Sequence, residues 1–421
     1  MSEITKQKTT VIIGGGAAGF FGALELATLR PNDNILIIEK NNSLLNKVRI
    51  SGGGRCNVTH ACFDNKLLVK NYPRGQKELL SCFYTFNTES TIDWFAKRNI
   101  ELKTENDGRM FPVSDTSETI VACFLEEARE KGIRILTQTT VQHIKKTGAI
   151  FNLETSRGDM ECDTLFVATG GHPKLIHFDY LQEFNHTIIP PVPSLFTFNL
   201  PQHPICMLMG VSVQHALVRI EETKDQMQGP VLITHWGLSG PAVLKLSAMA
   251  ARKLASINYN YTLVIQWLPT LHFDEILNLL TANKNQNPKK SSKVRVFEEI
   301  PQRLWEFLLA ECAIHLQTKW AEVPKVKLQK LANFLYQHTF KANGKTTFKE
   351  EFVTSGGIDL KEIDFKTMQS KLVPGLFFAG EVLNIDAVTG GFNFQAAWTC
   401  SYIAAHGINA YYDNLNPAKN A

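Results

Sequence analysis

Residues 9–40 read TTVIIGGGAAGFFGALELATLRPNDNILIIEK. A β-branched run leads into Gly14-x-Gly16-x-x-Gly19, an apolar helical stretch follows, and a second apolar run closes on Glu39. A dinucleotide-binding turn needs Gly14 for a sharp bend out of the strand, Gly16 for approach of the backbone to a pyrophosphate, and Gly19 for close packing of helix on strand. The N–H groups opening the helix then meet phosphate charge. Glu39 stands 20 residues beyond Gly19, where a carboxylate accepts hydrogen bonds from a ribose diol. Strand, turn, helix and acid in this order predict an α/β fold of Rossmann type rather than an incidental glycine-rich turn.

With 421 residues the chain exceeds the usual size of one hydrophobic core, so several domains are expected. An apolar content of 44% and a charged content of 20% are those of an ordinary globular protein and exclude long disordered tracts. The net charge of +4 does not by itself imply nucleic acid, although the basic stretch Lys284 to Arg303 keeps that partner open. Eight cysteines form neither a CxxC pair nor a cluster with zinc-ligand spacing, so no metal site and thiols in a reducing cytoplasm are expected. The apolar stretch Val11 to Leu29 holds three consecutive glycines and Glu25 and lacks a basic leader, which argues against a membrane span or signal peptide.

Further along, residues 116–131 carry a helical pattern ended by Gly132, and the segments VQHIKK, AIFNLET and DMECDTLFVATGG read as a meander leading back to the main sheet. The prolines at 190, 191 and 193 mark a boundary. Beyond them come strand-like runs, then helical patterns from Phe273 to Tyr336, then a return to glycine-rich sheet and a last helix. The expected organisation is a cofactor domain at 1–190 and 356–421, interrupted by a β-rich barrel-like domain at 191–270 and 339–355, which itself carries a helical insertion at 271–338. Trp305, Phe307 and Trp320 are expected in its core.

A bare NAD-binding domain needs only the first glycine motif. Here two further strand-to-glycine transitions occur, LFVATGG at 165–171 and LFFAGE at 376–381. Three such turns on one sheet suit FAD, with Gly380 and Glu381 placed to bond the ribitol and the helix start after Thr389-Gly390-Gly391 placed under the pyrimidine edge of the ring.

The segment Lys47-Val48-Arg49-Ile50-Ser51-Gly52-Gly53-Gly54-Arg55-Cys56-Asn57-Val58-Thr59 closely resembles the signature of the YhiN/BaiN-type flavoproteins, also called aminoacetone-oxidase-like FAD-binding proteins. GRMFPVSD at 108–115, THWGLSGPAVLKLS at 234–247, EFVTSGGI at 351–358 and the closing GEVLNIDAVTGGFNFQAAW extend the resemblance over almost the whole chain. His60 and Ala387 depart from the family's usual Asn and Gly. The resemblance implies an FAD domain interrupted by a β-barrel with a helical insertion, and places the SGGGRCN loop beside the flavin with Arg55 and Asn57 donating near its reactive edge. The full set of expected FAD contacts is Gly14, Gly16, Ala17, Ala18, Gly19, Glu39, Lys40, Lys47, Ser51, Gly52, Gly53, Gly54, Arg55, Cys56, Asn57, Thr59, Val141, Ala168, Thr169, Gly170, Gly171, Gly380, Glu381, Asp386, Thr389, Gly390, Gly391, Phe392 and Asn393.

Cys56 has no partner cysteine nearby and reads as a packed thiol. His235 and Trp236 stand in a loop before a helix, either lining the substrate site or serving the domain junction; Arg109, Phe111 and Ser114 are further pocket candidates. The catalytic candidates are therefore Arg55, Asn57 and His235. The implied activity is hydride transfer at the flavin to or from a small molecule entering between the domains, by amine oxidation or reduction of a conjugated C=C bond. The alternatives are reduction of a uridine in ribosomal RNA, with the basic insertion as docking surface, and a flavin-containing binding protein without turnover. Only one full GxGxxG is present, so NAD(P)H would dock transiently at the same flavin.

Overall fold

The computed structural model describes residues 7–346 and 353–415. They form two units, one of the described residues up to Pro193 together with 353–415, the other of residues 194–346.

The first unit is built on a seven-stranded sheet. Its order is Ile363–Asp364, Gln369–Ser370, Leu376–Phe378, Thr164–Val167, Thr9–Ile13, Asn34–Ile38, Arg134–Leu136. The last five strands run parallel, in register Phe377 to Phe166 to Ile12 to Ile37 to Ile135. A parallel strand covered on both faces has no polar side, which is why these segments are apolar throughout rather than alternating. Helix Ala17–Leu29 is likewise buried around most of its circumference and packs against the final helix, Phe392–Leu415. Phe21 of the first helix stacks on Trp94 at 4.4 Å and Trp398 of the last lies 5.4 Å from it, so one aromatic cluster joins helices from both ends of the chain.

From Thr9–Ile13 the chain winds outward through Asn34–Ile38 to Arg134–Leu136, then returns to the other side of Thr9–Ile13 with Thr164–Val167. The reversal makes a switch point, where parallel sheets bind ligands beyond the carboxyl ends of their strands. The meander is Val141–Thr147, Ile150–Thr155 and Met160–Cys162. DMECDTLFVATGG is thus two strands rather than one: the chain breaks at Asp163, whose carboxylate accepts from Lys8 Nζ at 2.8 Å and Thr9 N at 2.9 Å. A second small pairing joins Ile188–Pro193 antiparallel to Thr354–Ile358. The prolines therefore lie within a strand of the first unit, and Thr354 and Ser355 belong to this unit rather than to the barrel.

The second unit is an antiparallel sheet ordered His338–Asn343, Asn260–Gln266, Ser212–Ile220, Gln226–Thr234, Gly237–Ser239, Thr197–Asn199, Lys345–Thr346. Its first and last members are one chain path that turns at Gly344, with φ of +83°. The same segment therefore bonds both edges and closes the sheet into a barrel. Helices Phe273–Gln286, Gln302–Glu311 and Lys325–Tyr336 do not build a core of their own: Ile276, Leu280, Trp305 and Leu331 share one buried cluster with the barrel's Val213, Val231 and Leu263. Trp305 and Trp320 are buried there and Phe307 packs against it. No helix among the described residues is long and apolar enough to cross a membrane.

Within that core the His338 ring is 3% exposed, accepts from Trp267 Nε1 at 3.2 Å and lies 4.1 Å from the Phe340 ring. Burial, reinforced by His203, pushes its pKa down to about 3. The neutral ring is thus the folded form, and the stability it contributes is complete above the ordinary histidine pKa and drains away as pH falls from there toward 3. Thermal unfolding of His338→Gln is expected to fall less steeply between neutral and mildly acidic pH than that of the parent; parallel curves would assign the acid sensitivity elsewhere.

Candidate functional site

Beyond the strand ends, the first glycine turn leaves no space for side chains where the chain packs and ample space where it does not. A Cβ on Gly14, whose φ is +118°, would lie 2.3 Å from Ala168 O, and one on Gly19 would lie 1.9 Å from Gly14 O. A Cβ on Gly16 would meet nothing within 4 Å. Gly16 caps helix Ala17–Leu29 without a side-chain bond, and the first turn, which includes Ala17 and Ala18, carries no acid. The helix start is thus open to an anion. Glu39 is fixed beside it: one carboxylate oxygen accepts from Gly15 N at 2.9 Å, the other from Asn41 N at 2.9 Å and Nδ2 at 2.7 Å. Lys40 is exposed next to it, and Val141 begins the meander, half-buried and paired with Thr155.

In the SGGGRCN loop, helical geometry lasts only to Ile50. Ser51 is extended, and Gly52, Gly53 and Gly54 take φ of 59°, 70° and 85°. Only glycine makes three left-handed residues in succession at little cost. Added Cβ atoms at Gly53 and Gly54 would meet open space, whereas one at Gly52 would lie 2.5 Å from the Phe111 ring. Arg55 lies over that ring at 4.0 Å and donates to Glu105 at 2.5 Å, with Asp115 at 3.5 Å. The Glu105 bond raises the guanidinium pKa further. Cys56 is fully buried and burial pushes its pKa up to about 12, so the group is a thiol and not a thiolate. The Asn57 amide, oriented to satisfy both neighbours, donates to Thr59 O at 3.0 Å and accepts from Gly391 N at 2.9 Å. Thr59 donates to Gln395 at 2.6 Å in a buried network with Thr91 and Thr399. Asn57 and Thr59 thus have protein partners that hold the loop on the last helix.

Beyond the ends of strands Thr164–Val167 and Leu376–Phe378, Glu381 accepts from Thr354 N at 2.8 Å and from Lys47 Nζ at 2.6 Å. A Cβ on Gly171 would come within 2.6 Å of Glu381 and 2.7 Å of Thr354 Oγ1. That Thr354 hydroxyl is buried without a hydrogen-bond partner among the described residues. Thr169 Oγ1 joins His172 Nε2 at 3.1 Å and the Tyr180 hydroxyl at 3.2 Å. The His172 pKa is pushed down to about 4 by burial, then by Lys40, His177 and Lys47, so the ring is neutral. Sequence reasoning missed both residues. Thr354 lay in the quoted EFVTSGGI motif without a role, and a single histidine after a glycine pair carries no signal.

The segment before the last helix is held by side chains expected to contact cofactor. Asp386 is fully buried and paired with Arg74, whose Nε lies 2.5 Å from Oδ1. Asn393 spans the bend through Ala387 N at 2.9 Å and Ala387 O at 3.2 Å. Phe392 O accepts from the Tyr72 hydroxyl at 2.6 Å, and the His60 ring, stacked on Phe392 at 4.5 Å, is bonded to Gly390 O. Thr389, Gly390 and Gly391 remain half-buried at the turn itself. Of the other candidates, Arg109 pairs with Glu105 and Asp107, Phe111 is buried under Arg55, and exposed Ser114 bonds Thr119. His235 and Trp236 belong to the second unit, where Trp236 Nε1 donates to Thr197 at 3.1 Å.

The residues fit an extended dinucleotide: an uncapped helix start, open flanks at Gly16, Gly53, Gly54 and Gly170, and a buried hydroxyl lacking a partner. They define a Rossmann-type flavoprotein oxidoreductase. The model of the HI0933-like protein Rossmann domain matches residues 8–407, and the chain belongs to that family of FAD-dependent oxidoreductases. It is 29% identical over 421 residues to the ribosomal RNA dihydrouridine synthase of Haemophilus influenzae, covering 96% of this chain and 100% of that protein. It is 23% identical to the 3-dehydro-bile acid delta(4,6)-reductase of Clostridium scindens, over 93% of this chain and 97% of the other. Among solved structures, the 3-ketosteroid-delta4-(5alpha)-dehydrogenase of Rhodococcus jostii aligns with a TM-score of 0.49 at 13% identity, over 97% of this chain and 98% of that one.

Glu39→Ala is expected to lower FAD affinity tenfold or more, since a charged acceptor is worth roughly 1.5–3 kcal/mol; unchanged flavin content after exhaustive dialysis would remove Glu39 from the site. Arg74→Ala strips the buried Asp386 of its cation and is expected to cost about 3–5 kcal/mol in urea unfolding of the holoprotein, a loss that Asp386→Asn in the same background should partly restore.

Proposed function

We propose that this protein is an FAD-dependent reductase of a C=C bond conjugated to a carbonyl, and that its substrate is the uracil ring of a uridine in ribosomal RNA. In this reading Glu39 receives the ribose hydroxyls of the adenosine half, and the helix start at Gly16, Ala17 and Ala18 receives the diphosphate. Thr169 to Gly171, Glu381, Lys47 and Thr354 flank the ribitol, and Gly52 to Gly54 leave room for the ring. The bound cofactor would supply a hydride to one carbon of the double bond, and a proton from solvent would complete the two hydrogens added across it. Arg55 supplies the electrostatics: Glu105, Asp115 and Gly52 take fewer than its five N–H donors. The remainder suit a carbonyl oxygen that gains negative charge as its conjugated double bond is reduced.

The names of the two relatives support the reaction type, since a dihydrouridine and a reduced delta(4,6) system each arise by saturating a C=C bond. The observation that carries the choice of RNA is the division of charge. Residues 194–348 hold seventeen Lys and Arg against ten Asp and Glu, leaving twenty-seven against thirty in the rest of the chain. The second unit thus exceeds the whole protein's positive excess, as a polyanionic substrate would favour. NAD(P)H is the proposed electron donor, docking transiently because the sequence holds a single dinucleotide motif. All eight cysteines are free, in keeping with work in the cytoplasm.

Anaerobic stopped-flow of the yellow protein is expected to show bleaching by NADH or NADPH, followed by reoxidation on adding ribosomal RNA that lacks reduced uridines. Mass spectrometry of that RNA should find two added hydrogen atoms at a uridine. Bleaching by small amines alone would make the protein an oxidase. Reoxidation by a steroid enone but not by RNA would keep the reaction and discard the substrate.

A further inference from the structure

Part of the second unit's charge excess lies on one exposed ribbon of its helical insertion. Of the ion pairs formed by side chains among the described residues, fifteen lie in the first unit and a single one, Lys293 with Glu306 at 3.9 Å, in the second. Ion pairs of the described residues thus gather in the first unit, and on the second only Lys293 of the basic side chains named below has a carboxylate partner among them. Between helices Phe273–Gln286 and Lys325–Tyr336 two irregular stretches run antiparallel: Trp320 N donates to Lys290 O at 3.0 Å, Ser292 N to Thr318 O at 2.8 Å, and Lys293 N to Leu316 O at 3.2 Å. Ser292 Oγ and Trp305 Nε1 anchor this ribbon to the core, the first on His315 O at 3.0 Å and the second on Ser292 O at 2.9 Å. It is a rigid mount, and it displays Lys289, Lys290, Lys293, Arg295 and Lys319, all exposed.

Beside the ribbon lies a depression of about 570 Å³ whose polar lining is Ser291, Lys293, Arg295, Gln302, Gln317 and a single acid, Glu298. Lysine, arginine, amide and hydroxyl donors around a shallow polar hollow make the donor set that binds nucleic-acid phosphates and sugars, and they offer little to an apolar partner. We propose that this ribbon is the docking surface for the sugar–phosphate backbone of the RNA substrate, gripping it independently of base identity while the flavin site acts on the uridine. The inference rests on the RNA reading of the preceding section. It adds that affinity resides in a definable set of cations outside the flavin unit.

The test compares holoprotein carrying Lys290→Ala, Lys293→Ala, Arg295→Ala and Lys319→Ala together with a control carrying Lys66→Ala, Lys70→Ala and Lys97→Ala on the first unit. The probe is deproteinised, end-labelled ribosomal RNA, followed by fluorescence anisotropy over a series of salt concentrations. Removal of four phosphate contacts is expected to weaken binding at least about tenfold at moderate salt and to lower the slope of log affinity against log salt by about 3. Flavin content, melting temperature and the rate of flavin bleaching by dithionite should match the parent, and the control should bind as the parent does. Parent-like affinity and salt slope in the fourfold variant, with RNA still reduced, would overturn this inference and leave the RNA reading intact. A parent protein that binds no ribosomal RNA would overturn both. Binding to intact ribosomal subunits but not to protein-free RNA would assign the ribbon to a protein partner and overturn the inference.

Discussion

The closeness of backbone to backbone at the first strand-to-helix turn governs the architecture of the cofactor unit. With Gly14 against Ala168 O and Gly19 against Gly14 O, not even one methyl group fits at either position. This contact brings the ends of strands Thr9–Ile13 and Thr164–Val167 together at the reversal of the sheet, and it lets the first helix pack closely on the sheet beside the helix Phe392–Leu415, whose Tyr412 reaches Thr10 and Thr164. Glu39 after Asn34–Ile38, Thr169 to Gly171 after Thr164–Val167 and Glu381 after Leu376–Phe378 all extend from these neighbouring strand ends.

Around that frame, polar groups divide into those satisfied within the protein and those left facing outward. Asn57, Thr59, Asp386 and Asn393 belong to the first kind. Their hydrogen bonds fix the shape of the SGGGRCN loop and of the bend before the last helix, and a buried polar group so satisfied specifies one conformation at little net cost. The uncapped first turn of the helix, the open flanks of Gly53, Gly54 and Gly170 and the Thr354 hydroxyl are of the second kind. A preformed cradle results, in which the ordering cost of glycine-rich backbone is met by neighbouring packing rather than by the ligand.

Much of this was legible in the sequence because it depends on glycine spacing and on continuous apolar runs, both local signals. GxGxxG with Glu39, and the glycines after LFVAT and LFFA, placed three parallel strand ends on one edge before any tertiary contact was known. What escaped was decided across long separations. Nothing near Asp386 announces Arg74, more than three hundred residues earlier, so the ion pair that holds its carboxylate is not legible in the sequence. The hydrogen bond from Gly391 N to the Asn57 amide is likewise non-local, so the sequence alone does not announce it. The prolines at 190, 191 and 193 signal a boundary, and the first segment of the first unit does end at Pro193; what they do not announce is that they also complete an edge pairing with Thr354–Ile358, a place where missing N–H groups are tolerated. The helices of the second unit were legible as helices, but their share in the barrel core depends on which faces meet.

The same edge pairing sets how the barrel joins the chain. Pro193 stands opposite Thr354 in the register, so the outgoing and returning strands part company side by side, as the two legs of a hairpin do. A whole folding module has in effect been spliced into a β-turn. Its length and sequence are nearly invisible to the sheet that carries it, because only the narrow gap between the two legs has to be bridged. The two units can therefore diverge separately, the first constrained by backbone contacts that admit no side chain and the second only by its own barrel core.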